Sequence, residues 1–379
     1  VMKLINNDEV SQVLKMADCI RVQEEAFRGL VEYGAVHRPR VDLYYPAEDT
    51  DSYFRWGSME GASSRYFAIR MKSDIVSWPR TDDGGWTEEK HCIEPGTYCG
   101  LIFLLSTKNG EPLALINDGI LQHFRVGGGA GIGAKYLSRE DSEVIGLIGS
   151  GGMARTFLEA FCCVRPIKEC RVYSPTMGHK EVFAEEMSAR LGIDVIPVSG
   201  PREAIAGADI VSSATDSMIP VYDAAWLEPG QHVTNLGRRE MPEEAISRFD
   251  VVVRQGVAGL QMKQTDIFQA ERGHSPAAFI GGTLEQQHVI PEKNPSPGFG
   301  GDSPDFTDRG RGGDKPEFKD LVTGKCEGRT SRHQITFYRN VGNQGLQFSS
   351  VGGLVYEKIV ASGMGRDIPT EWLLQDIRD

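Results

Sequence analysis

The sequence lacks any apolar run near the roughly 20 residues that a membrane-spanning helix needs. Basic charge is also in deficit: 41 Lys and Arg face 53 Asp and Glu, a formal net charge of −12. Such a surface repels nucleic acid and anionic lipid, so neither a nucleic-acid nor a membrane partner is expected. The seven cysteines form no CxxC pair and are odd in number, which fits free thiols in a reducing compartment better than a disulfide framework. The eight histidines include no HExxH, and no metal site is expected. Residues 1–7 carry no apolar h-region, so no secretory signal is expected and cytoplasmic localisation is the default.

What remains is an ordinary globular composition, 40% hydrophobic and 25% charged, over 379 residues. That length suggests two domains. Residues 8–33 carry apolar groups at helical spacing and predict one helix, started by Asn7 or Asp8 and stopped by Gly34. Residues 40–45, 66–71 and 100–105 then read as strands. Lys108-Asn109-Gly110 looks like a hairpin turn into 112–116. The first third is therefore mixed α+β with a mainly antiparallel sheet.

From residue 144 the pattern changes. Apolar strands at 144–148, 170–173, 194–198, 209–214, 231–236 and 250–253 alternate with helices at about 152–164, 180–191 and 202–206. This alternation predicts an α/β fold, a Rossmann-type doubly wound parallel sheet. Residues 281–319, rich in Gly, Pro and Asp, read as a long loop or insertion. Residues 341–359 have the small and apolar residues of a buried helix that packs back on the first domain. The expected domains are thus 1–135 with 341–379, and 136–340.

The sharpest local signal is Gly149-Ser150-Gly151-Gly152-Met153-Ala154, directly after the strand VIGLI and opening a helix. Gly149 allows the tight turn, Gly151 lets backbone approach a pyrophosphate, and Ala154 lets helix and strand pack closely. Free N–H groups at the helix start then favour an anion. A second cluster, Gly127-Gly128-Gly129-Ala130-Gly131-Ile132-Gly133, reads better as close helix packing. Ser174 stands after the second strand, where NAD-selective sites usually carry an acid. Ser174, Thr176, His179 and Lys180 are candidates to hold a 2′-phosphate, which favours NADP, with NAD as the alternative. Otherwise they cap the next helix.

The stretches HRPRVDL, GEPLALINDGILQHFRVGGGAGIGAKYLSRED, VIGLIGSGGMA, ADIVSSAT and NQGLQFSSVGGLVYEKI resemble the ornithine cyclodeaminase/mu-crystallin family over nearly the whole chain. The resemblance implies a discontinuous α+β substrate-binding and dimerisation domain built from both chain ends, a homodimer, and an amino or imino acid bound between the domains. It implies that Arg125 clamps the substrate carboxylate, with Arg40 as a second carboxylate-side arginine. Lys72 in RMKSD lies near the reacting carbon, with Arg70 as its rival in register, and Thr97 in EPGTYCG is a polar substrate contact. Thr215, which closes ADIVSSAT, joins the cofactor-binding set.

Two segments depart from the family pattern. The turn that carries an aspartate in cyclodeaminases reads Gly237-Arg238-Arg239-Glu240-Met241-Pro242, leaving Glu240 as the available acid/base. The threonine after the clamp arginine is Val126, and the alanines beyond it are glycines. These features predict an NAD(P)-dependent oxidoreductase acting on the C–N bond of an amino or imino acid. The alternatives are an NAD-dependent cyclodeaminase and a non-catalytic protein that binds a small ligand.

Overall fold

The computed structural model describes residues 1–377 apart from 33, 49–50, 81–84, 177, 257–267, 274 and 292–314. The chain opens with β1 (Met2–Ile5), α1 (Asn7–Val13) and α2 (Met16–Glu32). The single helix expected over residues 8–33 is therefore two. Asn6, not Asn7 or Asp8, caps the first in a reciprocal capping box with Glu9. The break comes where Leu14 turns extended (φ −82°, ψ 125°) and buries its side chain. Gly34 ends the second helix region at φ +72°, a conformation that suits glycine.

Strands β2 (Val36–His37), β3 (Val41–Pro46), β4 (Ser52–Ser63) and β5 (Tyr66–Ser77) follow. After them come β6 (Glu89–Cys92), β7 (Glu94–Pro95), β8 (Cys99–Ser106) and β9 (Pro112–Asn117). The expected hairpin is present, with Lys108 to Gly110 between β8 and β9 and Gly110 at φ +76°. Helix α3 (Gly119–Leu137) then leads into the second sheet.

That sheet begins with β10 (Val144–Ile148), α4 (Gly152–Val164), β11 (Glu169–Tyr173), α5 (His179–Leu191) and β12 (Asp194–Pro197). It continues with α6 (Pro201–Ile205), β13 (Ile210–Ser213), β14 (His232–Asn235) and β15 (Val251–Arg254). The chain then runs through β16 (Phe268–Arg272), β17 (Ser275–Ile280), α7 (Leu284–Gln287), α8 (Phe318–Val322), β18 (Thr336–Arg339), α9 (Gln344–Ser362) and β19 (Arg366–Ile368).

The second sheet has seven parallel strands in the order β12-β11-β10-β13-β14-β18-β15. The parallel, doubly wound reading holds, but β18 was not foreseen. It enters between β14 and β15, out of chain order. The first sheet is mostly antiparallel and runs β16-β17-β3-β4-β5-β8-β9-β1-β19, with β2 and β6–β7 attached at its side. Here the expected division of the chain needs correcting. Residues 268–280 were assigned with the parallel sheet, yet β17 pairs with β3 and extends the first sheet. The stretch 281–319 is also not all loop: α7 begins at a Thr283 capping box and α8 starts at Phe318. Its centre, 292–314, lies outside the described residues.

Helix α9 returns to cover the inner face of β4 and β5. Gly345 and Gly61 let the two backbones touch, since a Cβ on Gly345 would sit 1.9 Å from the Glu60 carbonyl oxygen. The glycines of α3 also mark close packing, as expected. A Cβ on Gly127 would meet the backbone of Thr156 on α4 at 2.6 Å, and one on Gly133 would meet the Tyr338 ring at 2.2 Å. The buried α3 thereby locks the parallel sheet to the helical layer over the first sheet. No described helix is long and apolar enough to cross a membrane.

Candidate active site

Strand β5 carries a row of charged side chains because one face changes character along its length. Its inward residues run Ala68, Arg70, Lys72, Asp74, Val76, so an apolar core row gives way to charge and then returns. The pairing sets the neighbours. Lys72 lies opposite Gly57 on β4 and Gly100 on β8, and Asp74 lies opposite Arg55. The two glycines leave room: a Cβ on Gly57 would overlap Asp42, and one on Gly100 would overlap Asp118.

The result is a buried row of basic groups, most of them paired. Arg40 meets Asp42 at 2.9 Å, and Arg70 meets Asp118 at 2.6 Å. Arg55 forks onto both oxygens of Asp74 at 2.8 and 2.6 Å and reaches Glu88 at 3.1 Å. Lys72 meets Asp74 at 2.7 Å and lies 5.0 Å from the centre of the Tyr98 ring. Burial, with Arg55 nearby, pulls the Lys72 ammonium down to about 7.

Arg125 differs from the rest. Its side chain is buried on α3, yet it faces no carboxylate among the described residues. Its Nε and Nη2 donate to Gln122 at 3.1 and 2.9 Å, and Nη1 donates to Gln347 at 3.0 Å. Its guanidinium carbon lies 5.0 Å from the Phe348 ring centre, and Arg70 lies 5.7 Å from the same ring. Desolvation, then the repulsion of Arg70, lowers Arg125 to about 9. A guanidinium has five N–H donors, and three are used here. The remaining two sit one on each terminal nitrogen, as a bidentate carboxylate requires.

Arg40, Arg70, Lys72 and Arg125 therefore share one region, and the uncertain register between Lys72 and Arg70 dissolves because both face inward. Thr97 does not join them. It is exposed, and its hydroxyl donates to the carbonyls of Cys92 (2.5 Å) and Glu94 (2.8 Å). Its neighbour Tyr98 covers Lys72 instead, a contact that alternation after Gly96 could have suggested.

The glycine turn lies at the carboxyl edge of the parallel sheet. Gly149 adopts φ +108°, and a Cβ there would strike the Ala214 carbonyl at 2.4 Å, so only glycine fits. Gly151 is the opposite case, with φ −82° and nothing within 4 Å of its missing Cβ. That open space fits a pyrophosphate. Gly151 caps α4 without a side chain, which leaves the first N–H groups of the helix, from Gly152 and Met153, for an anion. Ala154 is fully buried among the helix and strand residues behind the turn. Ser150 contributes its carbonyl, which accepts from Arg155 at 2.8 Å.

Thr215 lies beside this turn, with its methyl 3.1 Å from where a Gly149 Cβ would be. Ser174 is buried at the end of β11, whereas Thr176 is exposed. Lys180 is committed elsewhere: Nζ donates to the Val198 carbonyl at 2.6 Å and lies over the Tyr173 ring. Glu240 is fully buried, and its two oxygens accept the backbone N–H groups of Thr215 and Gly237. Burial raises its carboxyl to about 7. No described contact joins Glu240 to Arg125 or Lys72. It clasps two loops at the end of β13 and β14.

Known proteins resemble this chain over nearly its whole length. A Rhizobium meliloti (strain 1021) protein named as a dehydrogenase is 29% identical over 371 residues, covering 96% of this chain and 98% of its own. The alanine dehydrogenase of Archaeoglobus fulgidus is 25% identical over 371 residues, covering 96% and 97%. The solved Thermococcus litoralis Δ1-pyrroline-2-carboxylate reductase, in complex with NADH and L-proline, superposes with a TM-score of 0.71 at 25% identity. That match covers 97% of this chain and all of the other. The family model for ornithine cyclodeaminase/mu-crystallin matches residues 2–363. With its glycine turn and its basic row inside that match, the chain belongs to the ornithine cyclodeaminase/mu-crystallin family.

Proposed function

We propose that the chain is a nicotinamide-dependent oxidoreductase acting on the C–N bond of an amino acid or imino acid, with Arg125 as the clamp for the substrate carboxylate. One observation carries the clamp: a buried guanidinium that makes no ion pair among the described residues and keeps one free N–H on each terminal nitrogen. An uncompensated buried charge is costly, and a bound carboxylate removes that cost. The oxidoreductase class is supported by the relatives, among them the pyrroline-2-carboxylate reductase solved with NADH and L-proline.

The 149–154 turn would hold the dinucleotide, which would supply the hydride in imine reduction or accept it in amino-acid oxidation. Arg125 orients the acid, and Arg40 lines the same row. Lys72, whose ammonium is poised near neutrality, holds or releases the proton that the nitrogen gains or loses. Glu240 shapes the site as a clasp rather than as the acid/base. With both oxygens on backbone N–H groups and no aspartate in the 237–242 turn, the cyclodeaminase alternative is weakened. We infer a preference for NADPH over NADH, because Ser174 leaves no acid at the end of β11 to repel a 2′-phosphate.

A homodimer is supported by the outer face of the first sheet. Trp56, Phe67, Ile69, Met71, Leu101 and Phe103 project there, every one of them partly exposed. A broad apolar sheet face of this kind is the mark of an interface. The test of function is direct: a cyclic imino acid such as Δ1-pyrroline-2-carboxylate is added, and nicotinamide absorbance is followed. Net oxidation of NADPH or NADH supports the reading. Release of ammonia from ornithine with no net cofactor change would identify a cyclodeaminase instead.

A further inference from the structure

Two residues before Arg125, α3 carries a group that neither the substrate clamp nor the core uses. His123 is half-buried, and its ring lies against the first residue of α4. A Cβ on Gly152 would sit 2.9 Å from Cε1, 3.4 Å from Nδ1 and 3.5 Å from Nε2. Gly152 is thus small because an imidazole occupies the space beside it. Among the described residues neither ring nitrogen is hydrogen-bonded, and neither is sealed from solvent. Its nitrogens are open to solvent beside the glycine turn, so a bound anion can take the place of water on them.

We propose that His123 is a dinucleotide contact: its imidazole reaches the phosphates or nicotinamide-side ribose held on the 149–154 turn, and binding is tightened when it is protonated. The proposal rests on the reading of that turn as the dinucleotide site. The first two turns of α3 would then hold both partners of the reaction, the dinucleotide through His123 and the acid through Arg125.

The charged groups around the ring fix the sign. On its own helix, Asp118 favours the imidazolium and Arg125 opposes it, while burial is the largest influence and lowers the pKa. From α4, Gly152 and Met153 carry no charge, and Arg155 is paired with Glu186 at 2.6 Å. In the free protein burial therefore favours the neutral ring. An arriving pyrophosphate favours the charged form, so affinity rises as pH falls.

The experiment is calorimetric titration with NAD⁺ at pH 8 and pH 5.5. NAD⁺ is the probe because its pyrophosphate does not titrate in this window, unlike a 2′-phosphate. Wild type is expected to bind several-fold tighter at the lower pH, since moving an imidazole titration by about one pH unit sets a ceiling of about tenfold. His123→Gln should keep near-normal affinity at pH 8 and lose the pH dependence. His123→Ala should lose the pH dependence and bind several-fold more weakly. A flat wild-type profile, or a slope that survives in the glutamine variant, overturns the proposal. Gly151→Val is measured alongside: if it binds NAD⁺ normally, the turn itself was misread. If it fails to bind while His123→Gln retains the wild-type slope, only the histidine assignment falls.

Discussion

Lys72 sits among Arg55, Arg40 and Lys90 with Asp74 as its acid partner, and its position near neutrality follows from that crowding and from burial. In the direction of imine reduction a protonated Lys72 is needed, so kcat/KM should be high below about 7 and fall above it. In amino-acid oxidation the limb should reverse. Lys72→Met should lower turnover and flatten both profiles between pH 6 and pH 8.5, measured by steady-state kinetics. A wild-type profile that is flat in both directions would remove Lys72 from the proton path. At this scale the sequence was most readable where the backbone demands a residue type. Gly149 could be assigned from spacing because its φ of +108° and the nearby Ala214 carbonyl leave few choices. Thr97 was misassigned because a hydroxyl in a loop has local carbonyls within reach, and which one it takes depends on the turn. Arg125 could be named from its surrounding motif. That its described partners are the amides of Gln122 and Gln347 and no ion pair could not be read from the motif, since Gln347 is 222 residues away.

Among the elements, α3 and α4 depend on glycine for different reasons, and mutation separates them. Gly151→Val places a side chain in open space, so the fold should survive while dinucleotide binding collapses, as read by circular dichroism and fluorescence titration. Gly133→Ala forces a methyl into the Tyr338 ring and should cost about 1–3 kcal/mol of stability, seen as a lowered Tm. Equal thermal stability in wild type and Gly133→Ala would mean that α3 is free to shift. The helices and parallel strands were legible because their apolar periods are regular. β4 was not, since its inward side reads Arg55, Gly57, Met59, Gly61 while its outward side carries Phe54 and Trp56. This reverses the usual pattern of a sheet with one wet face. β18 was missed because it is four residues long and pairs out of chain order.

For the whole molecule, the inverted pattern of β4 and β5 is the basis of the proposed homodimer. Ile69→Glu, which puts a charge in the middle of that face opposite Phe103, should yield a monomer in sedimentation equilibrium where wild type shows twice the chain mass. A wild-type monomer would leave the apolar face unexplained. Cofactor choice is also read on the intact enzyme. Wild type should favour NADPH over NADH in kcat/KM, and Ser174→Asp should reverse the ratio through repulsion of the 2′-phosphate.

The clamp remains the centre of the functional reading. It is tested most directly by measuring kcat/KM for the imino acid and for its carboxamide in wild type and in Arg125→Ala. Losing one partner of a desolvated charge pair costs about 2–5 kcal/mol, so wild type should prefer the acid by at least about 30-fold. In Arg125→Ala that preference should disappear with NADPH affinity unchanged, and Arg125→Lys should restore only part of it because an ammonium cannot form the planar fork. An Arg125→Ala enzyme that still prefers the acid by the wild-type factor would place the carboxylate elsewhere and contradict the assignment.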